Sequence, residues 1–276
     1  MRTRRVRVRR RRSGRLLWVM SALMLLTALA LHLWVPKVSD PVREETLSPA
    51  SAVTTMPPES EQRVTQEIEF PALERFLIQF GVYDSLDNAR VEAARYVERG
   101  AAGYLLYDGR YRVIGAAYES REEADSVAGR LKEEEGIECY VYETGAGAVK
   151  LRVTAAPEQI DALVNAESAL REQSLAFGNL AYQLDSGEID EAQACIEISR
   201  CVQAITLARQ SLLEVAGEKV NQVAQDLMDM MEKAEENLSK LSSFQEQTRL
   251  DLSSKIKYNY IEILEQHRGY LESLSV

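Results

Sequence analysis

The stretch FLIQFGVYDSLDNA, residues 76–89, returns thirty-five positions later as YRVIGAAYESREEA, residues 111–124. Both copies begin with alternating apolar residues, pass through an aromatic residue and Ser, and reach Ala at the matching place. Alternation with a period of two is typical of a strand with one buried face, and Ser is a preferred residue at the start of a helix. The repeat therefore predicts two copies of a β-α-β unit.

The two units are predicted to complete one four-stranded antiparallel sheet, with the first strands of the two halves as neighbours. Both helices lie on one face, at 85–99 and 120–135, and each is followed by a glycine suited to a left-handed cap, Gly100 and Gly136. The alternating segment 148–154 is predicted as an additional edge strand.

Alternation also predicts which side chains lie on the open face of this sheet, away from the helices. In the first strand Phe76, Ile78, Phe80 and Val82 face the helices. In the last strand of the second unit, Ile137, Cys139 and Val141 are expected to face the helices. Subtracting the repeat offset of thirty-five predicts the same orientation for Ala102, Tyr104 and Leu106. The predicted open face then carries Leu77, Gln79, Gly81, Tyr83, Leu105, Tyr107, Arg112, Ile114, Ala116, Tyr118, Tyr140 and Tyr142.

The N-terminus predicts a membrane anchor. Residues 1–15 contain nine Arg and no acidic residue, and residues 16–35 are apolar except for three polar positions. Twenty residues at helical rise match a hydrocarbon core of roughly 30 Å, and the Arg cluster is expected to stay cytoplasmic. Residues 36–276 would then lie outside the cytoplasm in a single-pass protein of the cell membrane. A cleaved signal peptide ending near Ala30 is the alternative.

The exported part is predicted to be acidic and to begin with a flexible stalk. Five of the seven Pro fall within residues 36–68, among Ser, Thr and Glu, a composition typical of a disordered tether. Residues 36–276 hold 24 basic and 43 acidic side chains. Such an acidic surface disfavours the binding of nucleic acid, because nucleic acid binds to clustered Lys and Arg. A folded domain is predicted over 69–156.

Residues 157–276 are predicted to form an all-helical bundle, because Gly and Pro almost vanish and the apolar spacing becomes helical. From residue 218 an approximate heptad pattern, typical of a coiled coil, reaches Leu274, in either one long helix or two. This seam could pair with a second copy or a protein partner, or pack within its own bundle.

Few residues suited to catalysis or metal binding are present. The two His are far apart, at positions 32 and 267, which argues against a His-rich zinc site or a Ser-His triad. Cys195 and Cys201, six apart in a helical pattern, point to different faces and are read as buried apolar residues. The sequence therefore predicts a non-catalytic protein without a metal or cofactor.

The segments IQFGVY and NA within 78–89, with YRV and YESREEA within 111–124, resemble the SPOR domain, the sporulation-related repeat. The resemblance covers residues 75–143 and implies an α+β fold, a βαββαβ antiparallel sheet with two helices on one face. It also implies binding of peptidoglycan glycan strands, preferentially those stripped of stem peptides, on the open face, in a protein of a cell-division or sporulation septum. The glycan-binding residues expected on that face are Gln79, Gly81, Tyr83, Arg112, Tyr118, Tyr140 and Tyr142.

The chemistry of these residues suits a sugar ligand. Aromatic rings stack on the apolar faces of sugars, and Gln and Arg donate to hydroxyl and acetamido groups. Two positions depart from the family pattern, since Ile114 removes a polar contact and Ala116 adds a methyl group where Gly would permit close approach. The alternative is a degenerate domain that serves as an extracytoplasmic protein-interaction scaffold without binding glycan.

Overall fold

The computed structural model of the protein describes residues 63–217, 220–242 and 248–275. Six strands and six helices lie in these ranges. The strands are β1 (Val64–Phe70), β2 (Leu73–Tyr83), β3 (Tyr104–Tyr107), β4 (Tyr111–Tyr118), β5 (Tyr140–Ala146) and β6 (Val149–Ala155). The helices are α1 (Leu86–Val97), α2 (Arg121–Glu135), α3 (Pro157–Ser186), α4 (Glu191–Ala216), α5 (Gln222–Ser242) and α6 (Arg249–Leu274).

Residues 1–62, which include the predicted Arg-rich tail, the membrane span and most of the stalk, lie outside the described residues. In the part of the chain that is described, no helix combines the length and the apolar character needed to cross a bilayer. The last residues assigned to the stalk, 64–68, belong instead to strand β1. They are ordered there because β1 has a pairing partner more than eighty residues away, in β6.

The four-stranded antiparallel sheet that the repeat predicts is present, in the order β3-β4-β2-β5. The first strands of the two halves, β2 and β4, are central neighbours, as expected. Helices α1 and α2 pack on one face. The predicted ends of α2 are confirmed, since Ser120 accepts a hydrogen bond from the Glu123 amide and Gly136 adopts a left-handed conformation with φ of 66°.

The segment predicted as an added edge strand has a different partner. Strand β6 pairs with β1, from Val64 opposite Ala155 to Phe70 opposite Val149, in a separate two-stranded ribbon. Phe70 and Val149 are buried in the apolar core of the helical region, so the ribbon packs on the helices. An edge position in the larger sheet would have left these side chains without that core.

Helices α3 to α6 form a four-helix bundle in which α3 and α5 each pack against α4 and α6. The heptad-like segment is divided between two helices, α5 and α6. Leu227 of α5 and Ile263 of α6 belong to the buried core of the bundle, so these seam positions pack within the chain.

Two β-bulges change the register that simple alternation predicts. In the pairing of β2 with β4, Gln79 lies opposite Ile114 and Gly81 lies opposite Val113, which leaves Phe80 as an extra residue. On β4, Gly115 is extra between Ile114 and Ala116, the latter being opposite Ile78. Each inserted residue reverses the faces of the residues that follow it.

The prediction for β3 is also wrong by one residue. Tyr104 lies opposite Ile114, and Tyr140 lies opposite Gln79, so the equivalent residues of the two outer strands are thirty-six apart rather than thirty-five. Leu105 therefore faces the helices with its partner Val113, whereas Tyr104 and Leu106 face the other way. The second half therefore has one additional residue between its first strand, β4, and its outer strand, β5. The repeat spacing alone does not show the position of this insertion.

Candidate functional site

The residues that the structure brings together on the face away from α1 and α2 are Gln79, Arg112, Tyr140 and Tyr142. Gln79, on the central strand β2, lies opposite Tyr140 of β5, and Arg112 of β4 donates from Nη1 to Oε1 of Gln79 at 2.7 Å. The guanidinium carbon of Arg112 lies 4.5 Å from the ring centroid of Tyr142, a cation-π distance. Four of the seven predicted site residues thus form one patch.

Asp108, which the sequence analysis missed, organises this patch. It lies in the β3–β4 turn next to Gly109, whose φ of 99° favours glycine. Its Oδ2 accepts from Arg112 Nε at 2.7 Å and from the Tyr142 hydroxyl at 3.3 Å. An Asp-Gly pair between two strands is a known turn signal, but it does not show that the carboxylate reaches across to β5.

The electrostatics of the patch keep these contacts in place at neutral pH. The hydrogen bond from Arg112 lowers the pKa of Asp108 below its usual 3.8. Partial burial raises the pKa of Tyr142, and the negative charge of Asp108 adds to that shift, so its phenol stays protonated. Arg112 uses two of its three nitrogens within the patch, so it serves mainly to hold Gln79, Asp108 and Tyr142 in position.

Gly81, Tyr83 and Tyr118 were predicted on the open face and lie on the helix face instead. The bulge at Phe80 turns Gly81 and Tyr83 over, and Tyr83 packs in the cluster that α1 covers. The bulge at Gly115 does the same to Tyr118, which packs beside α2. Burial raises the pKa of Tyr118 to about 12. These three residues are therefore not part of the patch.

Helix α6 covers the middle of the face on which the glycan site was predicted. Ile261 of α6 is fully buried in one apolar cluster with Leu77 of β2 and Ile114 of β4. Tyr258 packs against Tyr104 of β3, with ring centroids 5.2 Å apart. The patch of Gln79, Arg112, Tyr140 and Tyr142 is what this helix leaves uncovered, apart from Gln79, whose exposed fraction is only 7%.

Polar contacts hold α6 to the sheet and to the loop that precedes β3. Lys257 Nζ donates to the Gly100 carbonyl at 2.8 Å, and Ser254 Oγ donates to the Ala101 carbonyl at 2.7 Å. On the opposite edge, Thr144 Oγ1 of β5 donates to Glu265 at 3.2 Å. The helix therefore crosses the sheet from β3 to β5.

The two departures from the family pattern have structural explanations. Ile114 packs against Ile261, so an apolar residue suits that position because a helix, rather than water or sugar, lies over it. Ala116 faces α2 and does not reach the patch at all. Neither residue is therefore an argument against ligand binding at the uncovered corner of the sheet, where Arg112, Tyr140 and Tyr142 lie.

His267 lies in a buried charged cluster away from the patch. Its Nε2 is 3.0 Å from Oε1 of Glu167, which also accepts from Arg171 at 2.6 Å. Arg171 donates further to the carbonyls of Pro71 and Ala72, between β1 and β2. Burial opposes ionisation of Glu167, but the hydrogen bonds from His267 and Arg171 hold its pKa below the usual value. The cluster joins α3, α6 and the strand junction.

The described residues contain no group of three or more His, Cys, Asp or Glu side chains arranged to hold a metal ion. Burial raises the pKa of the Cys201 thiol to about 11, so the thiol is protonated. Cys201 is a buried residue in the core of the bundle, as its helical spacing predicts, whereas Cys195 is only partly buried beside that core.

The comparison with protein families agrees with the geometry of the sheet. Residues 72–143 match the model of the SPOR domain. The match begins within two residues of β2 and ends within β5, so it includes the four-stranded sheet with α1 and α2 and excludes the β1–β6 ribbon and the bundle. No curated protein and no solved structure matches the chain.

Proposed function

Residues 72–143 are a SPOR domain, and we propose on that basis that this protein binds peptidoglycan glycan strands through the uncovered corner of its sheet. SPOR domains generally bind peptidoglycan in proteins of cell division and sporulation. The proposal has no catalytic step. It places the protein at a division or sporulation septum, anchored by residues 16–35 with residues 36–276 outside the cytoplasm.

The observation that carries the proposal is the ordered network on the uncovered corner. Arg112 fixes Gln79, Asp108 and Tyr142 through hydrogen bonds and a cation-π contact, so the patch is preorganised before any ligand arrives. Preorganisation lowers the entropic cost of binding. Beside this network Tyr140 exposes 65% of its surface, which leaves a ring available for stacking on a sugar.

A pull-down of the full-length protein on purified sacculi tests the proposal. We expect wild-type protein to sediment with sacculi, and more of it after an amidase has removed the stem peptides. Tyr140→Ala should reduce the bound fraction, whereas Tyr182→Ala, which removes an equally exposed Tyr from helix α3, should not. Absence of wild-type binding to either form of sacculus would contradict the proposal.

The coverage of the sheet by α6 favours a second function. A SPOR sheet whose central side chains, Leu77 and Ile114, are fully buried against a helix has lost part of its open face. The domain would then be a fixed part of a protein-interaction scaffold, with the acidic helices as its contact surface. This function predicts normal recruitment of the protein to its partner when Tyr140 and Tyr142 are both replaced by Ala.

The proposed topology has its own test. Protease added to intact protoplasts should degrade residues 36–276, because the Arg-rich N-terminus is expected inside. Full protection of that region, or its recovery as a soluble mature form, would contradict the anchor.

A further inference from the structure

A cleft opens between the SPOR sheet and helix α6, next to the patch of Gln79, Arg112, Tyr140 and Tyr142. Its volume is about 250 Å³. One side is formed by the end of β3 and the turn that follows, with Tyr107 and Asp108, and the other by Tyr142 and Thr144 of β5. The third side comes from outside the SPOR domain, because α6 supplies Glu265 and Arg268.

Arg268 is held in this wall by its own helix. Its Nε donates to Glu265 at 3.0 Å and its Nη1 donates to Glu272 at 2.6 Å. Glu265 is fixed in turn by Thr144 of the sheet. A guanidinium group has five N–H donors. The two hydrogen bonds of Arg268, together with the ion pair between its Nη2 and Glu265 at 2.9 Å, use three of them. Two N–H groups therefore remain for a ligand on a side chain that is already positioned.

The charges around the cleft indicate the chemistry of that ligand. Asp108, Glu265 and Glu272 outnumber Arg112 and Arg268. A ligand with its own carboxylate would therefore meet net repulsion, whereas hydroxyl and acetamido groups would meet donors and acceptors without that cost.

The size of the cleft limits the ligand further. Sites for small molecules usually enclose about 300 to 1,000 Å³, so this volume suits a single sugar ring and not a longer segment. The ring of Tyr142 on the lining offers apolar contact to the C–H face of such a ring.

We propose that this cleft is a composite sugar subsite, in which helix α6 supplies one wall and Arg268 is a binding residue for an uncharged N-acetylhexosamine unit. The proposal rests on the glycan-binding function proposed above and extends the site beyond the SPOR domain. It gives α6 two effects on the sheet: the helix removes the central face from glycan binding and adds a wall at the uncovered corner.

The test is a calorimetric titration of the full-length protein in detergent with tri-N-acetylglucosamine, an uncharged probe. Arg268→Ala should weaken binding by about five- to tenfold, the loss of one to two good hydrogen bonds. Arg268→Lys should recover part of the affinity. Arg200→Ala is the matched control, because Arg200 also pairs with a Glu on its own helix but lies on α4.

The failure of this inference differs from the failure of the proposed function. If Tyr142→Ala weakens binding and Arg268→Ala does not, glycan binding stands and the α6 wall is not part of the site. If wild-type protein binds neither the trisaccharide nor stripped strands, both proposals fail.

Two further measurements keep the inference testable if Arg268→Ala does not fold. The Nε–H resonance of Arg268 in the wild-type protein should shift at saturating trisaccharide, and an unchanged resonance overturns the proposal. Stripped strands, which carry carboxylates, should bind more tightly as salt is raised, because salt screens the repulsion. Weaker binding with rising salt would contradict the charge argument.

Discussion

Ile114 of strand β4 and Ile261 of helix α6 are both fully buried in the same apolar cluster, although they lie in different parts of the chain. This contact joins the SPOR sheet to the helical bundle. Because it uses the face of the sheet that lies opposite α1 and α2, it also decides how much of that face a ligand can reach.

Ile261→Ala should destabilise the protein by about 3 kcal/mol, through lost apolar contact and the cavity left between sheet and helix. Urea denaturation measures this change. Leu207→Ala, on an exposed position of α4, should cost less than about 0.5 kcal/mol. Equal losses in the two variants would show that α6 does not pack on the sheet in solution.

Gly115→Ala should destabilise the protein by about 1 to 3 kcal/mol, since a Cβ at the bulge would overlap the ring of Phe80. That ring cannot move easily because it is stacked on Tyr96 at 3.9 Å between centroids. Gly129→Ala is the control within helix α2, where a Cβ meets no other atom and should stabilise the helix by up to about 1 kcal/mol. A stabilising Gly115→Ala would contradict the bulge.

Glu167→Gln should lower the free energy of unfolding by about 3 kcal/mol, because it removes the negatively charged partner of His267 and Arg171 in a buried site. Thermal and urea denaturation at neutral pH would measure it. Glu69→Gln removes a carboxylate from an exposed pair with Lys150 and should change stability by less than about 1 kcal/mol. If both variants lose the same free energy of unfolding, the buried cluster contributes no more to stability than a surface ion pair does.

Tyr142→Ala should weaken glycan binding by about fivefold, equivalent to roughly 1 kcal/mol for one aromatic contact. Tyr118→Phe should leave binding unchanged, since Tyr118 lies on the helix face. Titration with stripped strands distinguishes the two positions. Loss of affinity in Tyr118→Phe would mean that the ligand does not use the face described above.

Binding of the uncharged trisaccharide should be independent of pH from about 5 to 8 and should decline only below about pH 4. Asp108 has a lowered pKa in the folded protein, so its contact with Arg112 is fully present above the ordinary value of 3.8 and is lost as pH falls through the lowered value. Asp108→Asn should remove this acid dependence. A decline in wild-type binding near neutral pH would assign the titration to another group.

Part of the fold could be predicted because its signals are local. The repeat around Phe76 and Tyr111 predicts the β-α-β units, and Ser120 and Gly136 predict the ends of the second helix, since periodicity and caps depend on neighbours in sequence. The same local reasoning places Gln79 and Arg112 on one patch, because alternation holds up to the first bulge.

Contacts between distant parts of the chain decided three things: which face of the sheet each side chain lies on, which strands pair, and which part of the sheet a helix covers. A bulge depends on how two strands pair, so alternation alone could not show that Tyr83 and Tyr118 turn toward the helices. In the same way, the pairing of β1 with β6 and the position of Ile261 over Ile114 join segments that are far apart in the sequence. The sequence by itself determined the elements of the repeat and the chemistry of their residues. The tertiary structure decided which of those residues a ligand can reach, because burial depends on what packs over each face.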